Sequence, residues 1–485
     1  MRKPLAALTA ALSVATLLAP AAHAEPGRPS AGDRVFRHLG NEGYDVRSYD
    51  VRFDYRPGVM TMRSSVRIAA VATRDLTGFS LDSAGQRIGS VLVDGERAAY
   101  RLSGEKLIIT PRRPLRANRA FTVTISYTAD RRANPPSPAT PKEPPHRPAW
   151  VGKKDGFALL GQPDRAHLFF PMNDHPSDKA RVTFRVTVPK GLRAVANGSL
   201  RSRTVSGDRV TYTYATRDPI PTHVVQAAVG RFREHRRTGP GGLPVRSYVA
   251  PSAYRRAEPL LNEIPAQLAW LSERLGSRFP YEGYGVLGVD GDYGGVALET
   301  ATLSTYSAQA LGGPLREAAP VAMHELVHQY FGNAVAVRTW DDMWISEGHA
   351  DYYQTLYSAE KGYLRFPSLA ERMRALYAFD GEKRVESGPP GRVKSPLDVL
   401  VGSNAGGSLM LYGLNRMVGE RTFREIERTF FARFRHRSAT TRDYIRVANE
   451  VSGRDLTRYI EGWIYGRTTP PMPGHPDWKP AAASS

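Results

Sequence analysis

The sequence predicts an α+β chain of two domains: an antiparallel β-rich domain at residues 25–240 and a mainly helical one at 241–475, with a short tail at 476–485. Three observations predict it. Up to about residue 240 apolar and polar residues alternate; beyond it apolar residues recur at spacings of three and four; and a Gly/Pro cluster at 238–242 lies where the period changes.

Residues 1–24 read as an export signal. Arg2 and Lys3 give a positive start, Leu5 to Leu18 an apolar stretch too short to span a membrane as a mature helix, and Ala22-His23-Ala24 a small-x-small cleavage site. The expected product is secreted and extracellular, begins near Glu25, and has no later apolar run of about 20 residues to give integral membrane contact. Tyr49, Val51, Phe53 and Tyr55, then Val123, Ile125 and Tyr127, then Val182, Phe184, Val186 and Val188 alternate as strands with one buried face. The Pro-rich stretch at 135–148 cannot sustain ladder hydrogen bonds and reads as a loop within the domain. Beyond the Gly/Pro cluster, Leu260, Leu261, Ile264, Leu268, Leu271 and Leu275 mark a helix that Pro265 could kink, and residues 316–331 mark another.

Composition narrows the function. With no cysteine in 485 residues, disulfides, thiolate metal sites and a catalytic cysteine are excluded. The charge is +20, from 67 Lys+Arg against 47 Asp+Glu, but the excess is scattered Arg without an aromatic-interleaved basic patch. Nucleic-acid binding is therefore not expected. Electrostatic association with anionic cell-wall polymers is the partner such a surface suits.

The chemistry concentrates at His324-Glu325-Leu326-Val327-His328, after Pro314 and before Gly332-Asn333. A spacing of four on a helix puts both imidazoles on one face, able to share one Zn²⁺, with Glu325 beside them as a base. A catalytic zinc needs a third protein ligand, and Glu347 supplies it from Trp344-Ile345-Ser346-Glu347-Gly348-His349-Ala350-Asp351, which opens a second helix. Asp351, one turn on, either accepts a hydrogen bond from a ligand imidazole or is an acid favoured in a helix's first turns. His349, two residues from Glu347, points elsewhere, and the other histidines lack metal spacing.

Two histidines from one helix and a glutamate from the next resemble the gluzincin metallopeptidases, and more of the chain resembles their aminopeptidase N family. Gly294-Gly295-Val296-Ala297-Leu298-Glu299-Thr300 is similar to that family's Gly-Ala-Met-Glu-Asn segment, departing from it at Val296, Leu298 and Thr300. Gly161-Gln162-Pro163 and Phe170-Pro171-Met172-Asn173-Asp174-His175-Pro176-Ser177-Asp178-Lys179-Ala180 are similar to its N-terminal signature. The resemblance implies a thermolysin-like catalytic domain, one zinc per chain on His324, His328 and Glu347, Glu325 as general base, and a substrate ammonium held by Glu299 and Gln162. Taken alone, Glu299 reads as a surface charge and Gln162 as a loop amide. The implied activity is release of the first residue from peptides with a free N-terminus. Two rivals stay open: a zinc endopeptidase, and a zinc-containing but impaired protein that binds peptides or wall polymers.

Two departures matter. Asn404, in Asn404-Ala405-Gly406-Gly407, stands where the family has a tyrosine supporting the oxyanion; Tyr412 is the nearby alternative by type, with core packing the stronger reading. Trp463-Ile464-Tyr465-Gly466 and Thr468-Thr469-Pro470-Pro471 look like the end of short bacterial secreted members, which implies that the C-terminal helical domain of longer relatives is missing and the active site less enclosed.

Overall fold

The computed structural model describes residues 24–140, 142, 148–152, 155–290 and 297–479. Met1 to His23 of the signal, part of the Pro-rich stretch, Gly294 to Val296 and the last residues of the tail lie outside the described residues.

Alternation in the first half builds an eight-stranded sheet. Its order is Ser199–Ser206, Arg209–Ala215, Arg181–Pro189, Tyr44–Asp54, Thr61–Ala72, Ala120–Asp130, Arg87–Val93 and Glu96–Arg97. All of its neighbours are antiparallel except Arg181–Pro189 and Tyr44–Asp54, which run parallel. The predicted inward residues, Tyr49, Val51 and Phe53, Val123, Ile125 and Tyr127, and Val182 to Val188 by twos, are all buried. Each contributes about 1.5–3 kcal/mol by leaving water. A one-residue slip of any strand would turn that set to solvent, so the pattern also fixes register. Two four-stranded sheets complete the domain. Trp150 packs edge-on against Phe53, Phe157 and Phe169 in its core. Among the described residues between Asp130 and Trp150 there is no strand, as the proline density requires.

A second, five-stranded sheet has the order Arg233–Thr238, Pro244–Val249, Val286–Val289, Ser304–Ser307, Ala297–Leu298. Its first two strands pair antiparallel, so the Gly/Pro cluster at 238–242 is a hairpin turn, with Gly241 and Gly242 at positive φ, and the sheet begins ahead of it at Arg233. Nine helices follow among the described residues. They are α1 (Tyr254–Arg274), α2 (Ala308–Leu311), α3 (Leu315–Val327), α4 (Trp344–Lys361), α5 (Leu369–Ser387), α6 (Asn404–Val418), α7 (Glu420–Phe434), α8 (Thr441–Ser452) and α9 (Thr457–Tyr465). The predicted apolar stripe of α1 is buried, and the helix runs through both Pro259 and Pro265. Gln267 in that stripe donates to the Ala319 carbonyl of α3 at 2.7 Å, joining the two helices.

One expectation is corrected here. The chain does carry a substantial C-terminal helical domain: α5 to α9 are joined, beyond α4, by only one three-residue strand, Arg437–Ala439. The helices of this domain lie inside the mainly helical region 241–475, so the end of the matched motifs near residue 471 does not mark its absence. Buried polar links fasten this region. Arg384 of α5 binds Asp380 at 2.6 Å and the Trp463 carbonyl of α9 at 2.7 Å, and Thr469 donates to the same Asp380 oxygen at 2.6 Å. Glu299, Glu325, His328 and Glu347 are all buried.

The two halves meet in a polar seam. Asp33 accepts a hydrogen bond from the Trp340 backbone N–H at 2.9 Å, and Arg34 forms a two-pronged pair with Asp341 at 2.5–3.1 Å. Among the described residues no helix is long and apolar enough to cross a membrane.

Candidate active site

α3 carries His324 and Glu325 in its last turn, and His328 is its C-cap residue. α4 begins at Trp344 and carries Glu347 in its first turn. Glu347 Oε2 lies 3.6 Å from His324 Nε2 and 3.8 Å from His328 Nε2. A zinc ion at about 2.0–2.2 Å from three tetrahedral ligands separates their donor atoms by about 3.3–3.5 Å, so these three fit it with small adjustment. Each remaining ring nitrogen has its own partner: His324 Nδ1 meets Gln354 Oε1 at 2.8 Å, and His328 Nδ1 meets Ser346 Oγ at 2.9 Å. That leaves both Nε2 atoms toward Glu347, the tautomer a metal requires. Ser346 Oγ in turn lies 3.3 Å from the Phe331 carbonyl it donates to. Gly332 makes room, because a Cβ there would collide with Ser346 Oγ.

Electrostatics separate the two histidines. For His324, burial opposes the charged form, but the Glu347 hydrogen bond and the charges of Glu325, Glu347 and Asp351 outweigh it and raise its pKa to about 9. For His328 burial prevails over the attraction of Glu347, and its pKa falls to about 4. Glu325 is pushed well above the usual carboxylate range, first by burial, with Glu299 and Glu347 adding to the effect and His324 opposing it. Its Oε2 is buried without a hydrogen-bond partner. A buried acceptor in that condition is costly unless something that comes and goes satisfies it.

Glu299 follows the edge strand Ala297–Leu298, and Gln162 comes from the first domain. The fold brings them together: Gln162 Nε2 donates to Glu299 Oε1 at 2.6 Å. The other amide atom, Gln162 Oε1, is buried without a partner. Donor atoms of Glu299, Glu325 and His328 lie within 4.8 Å of one another, so this pair borders Glu325 and the candidate metal ligands. The Glu299 carbonyl accepts from Asn333 Nδ2 at 2.7 Å and Gln329 Nε2 at 3.1 Å, both just past His328. On the other side Asn197 and Gly198 of the first domain hold the Ala301 carbonyl at 2.5 Å and Thr302 Oγ1 at 2.7 Å.

Other sequence candidates fall elsewhere. Asp351 accepts from Arg372 at 3.4 Å, while Gln354 serves the imidazole of His324. Gln354 was missed, although seven residues after Glu347 is two turns along the same helix face. His349 is fully buried, stacked on Phe331 at 4.2 Å, with Nε2 3.2 Å from Glu427. Asn404 is the first residue of α6 and its Oδ1 is buried without a partner. α6 packs closely on α4, a Cβ on Gly348 falling 2.8 Å from Gly407 Cα, which sets the first turn of α6 against the turn bearing Glu347. Tyr412 bonds His475 Nε2 at 2.9 Å and stacks with His475 and Trp478, a packing role.

Two imidazoles on one helix, a carboxylate on the next and a free buried glutamate beside them define the single-zinc centre of a zinc metallopeptidase. Comparison with known proteins agrees: the Peptidase M1 N-terminal domain matches residues 148–224 and the Peptidase family M1 domain residues 260–463. The chain belongs to peptidase family M1. It is 26% identical over 341 residues to glutamyl aminopeptidase of Sus scrofa, covering 66% of this chain and 36% of that protein. It is also 26% identical over 353 residues to leucyl aminopeptidase of Saccharolobus solfataricus, covering 67% and 42%. The chain thus spans well under half the length of these curated relatives. Among solved structures, a Glu-to-Ala mutant of an M1 zinc metallopeptidase from Deinococcus radiodurans bound to Tyr-Ser-Ala superposes with a TM-score of 0.78 at 28% identity, covering 92% of this chain and 100% of that one. A two-domain M1 zinc metallopeptidase mutant bound to L-arginine gives 0.79 at 27%, covering 92% and 99%. A match over that share of the chain takes in the C-terminal helices.

Proposed function

We propose that this chain is a zinc aminopeptidase that hydrolyses the first peptide bond of peptides with a free N-terminus. The observation that carries the reading is the Gln162–Glu299 pair closing one side of the metal centre. The Glu299 carboxylate and the free Gln162 Oε1 accept from a substrate ammonium, which fixes the register so that the first carbonyl meets the metal. His324, His328 and Glu347 would hold the zinc, which would supply Lewis-acid polarisation of a carbonyl and lower the pKa of water toward ~7. Glu325, with Oε2 unclaimed, takes the proton of the attacking water and delivers it to the nitrogen of the leaving amine. Relatives that act on or hold N-terminal residues, the glutamyl and leucyl aminopeptidases and the structure bound to Tyr-Ser-Ala, support the same reading.

The test follows the products. Mass spectrometry of a mixed-sequence peptide with the zinc-loaded protein should show stepwise loss of residues from the N-terminus; internal fragments would favour an endopeptidase. Asn404 sets the rate in this reading, because an amide reaches less far toward the oxyanion than a phenol. Asn404→Tyr should raise kcat about tenfold with KM unchanged, part of the ~10²–10³ carried by one oxyanion donor. An unchanged kcat would place that donor elsewhere.

The export signal supports a secreted enzyme cleaved near Ala24, and the Arg excess supports electrostatic retention on anionic cell-wall polymers. N-terminal sequencing of protein from culture medium should begin near Glu25. Binding to wall polymer should be released by moderate salt.

A further inference from the structure

Resting on the aminopeptidase reading, we propose that Lys179, a residue of the first domain, is a positioning residue for ammonium recognition, acting through Asn333 on Glu299. Lys179 Nζ donates to the Asn333 carbonyl at 2.8 Å and to the Ala334 carbonyl at 2.7 Å. These carbonyls belong to the turn that ends the α3 segment, where Asn333, Ala334 and Val335 N–H groups bond back to His328, Gln329 and Tyr330. From the same turn, Asn333 Nδ2 reaches the Glu299 carbonyl at 2.7 Å. One ammonium therefore ties the first domain to the residue pair that sets the substrate's register.

The segment that presents Lys179 is itself held firmly. Asn173 Nδ2 binds Asp178 at 2.5 Å, Asp174 binds His167 Nδ1 at 2.8 Å and Thr222 at 3.0 Å, and the Ala180 backbone pairs with Ile220. Gln162, the partner of Glu299, comes from this same domain. A shift of the domain relative to α3 would thus move Gln162 and the turn bearing Asn333 out of step, and Lys179 opposes that shift. Burial draws the Lys179 pKa down to about 7, with Asp218 the charge that offsets it. An apolar side chain would fill the space at less cost, which argues that the ammonium's two bonds are what the position serves.

The test uses the zinc-loaded full chain with a free-amine peptide and its N-acetylated twin. Lys179→Met should raise KM for the free-amine peptide about tenfold, the scale of one hydrogen bond to a charged group, with kcat within about threefold and one zinc per chain. Asn333→Ala should do the same, and the double variant should be no worse than Asn333→Ala alone, because the effect passes through Asn333. Additive effects, or an unchanged KM in either folded variant, would overturn the inference. If Lys179→Met does not fold, Asn333→Ala decides alone: an unchanged KM there removes the link. Failure of the wild type to prefer the free amine would count against the aminopeptidase reading and not against this link.

Discussion

The metal side of the site and the side proposed to hold the substrate ammonium are built in opposite ways. His324, His328 and Glu347 sit in the last turn of one helix and the first turn of the next, and each imidazole is oriented by a residue of that second helix, Gln354 or Ser346. Gln162 and Glu299 stand 137 residues apart and meet only because two domains pack. The first arrangement follows from helix periodicity and tolerates changes at a distance. The second inherits every displacement of the seam, which would make the proposed recognition of the substrate's end more fragile than metal binding.

Variants should separate the two sides. The largest effect belongs to the proposed base: Glu325→Gln should lower kcat by at least about 10³ with zinc retained, the range of a lost general acid–base. Retained activity would assign the proton transfer elsewhere. Next, Glu299→Ala should lower kcat/KM for free-amine peptides by about 10² while leaving metal content intact, which metal analysis beside steady-state kinetics can check. Loss of zinc in that variant would mean the two sides are not separable. Gln354→Leu addresses the metal side alone and should weaken zinc affinity about 10–100-fold. Chelator competition measures it, and an unchanged affinity would make Gln354 a packing residue.

The smallest effect concerns the domain that brings Gln162 to the site. His167, fully buried, lies 2.8 Å from Asp174 and 3.2 Å from Glu105. Burial opposes its charge, but both carboxylates outweigh it and raise its pKa to about 10. The folded value lies above the unfolded one, so this contribution is complete below about pH 6.5 and is lost as pH rises through about 10. Denaturant unfolding should therefore show the wild type losing at least about 1 kcal/mol more than His167→Gln between pH 6 and pH 10. Parallel losses would leave His167 without that charge.

What the sequence disclosed follows the same division. Alternation placed the inward residues of the large sheet, and a spacing of four placed the metal histidines, because strand and helix periods are local properties. The turn role of 238–242 was not legible, since a Gly/Pro cluster marks a hairpin and a domain boundary alike. The C-terminal helical domain was overlooked because apolar spacing shows that a helix forms without showing which domain it joins. Glu299 and Gln162 could be singled out through resemblance. Their contact, and the ties from Asn333 and Lys179, depend on packing that no sequence period records.

The most direct measurement compares kcat/KM of the zinc-loaded wild-type protein for one fluorogenic leucyl or arginyl peptide and its N-acetylated twin, with and without a chelator. An ammonium clamp made by Glu299 and Gln162 predicts chelator-sensitive cleavage of the free-amine peptide, at least about 10²-fold above the acetylated one. Equal cleavage of the two would contradict the clamp.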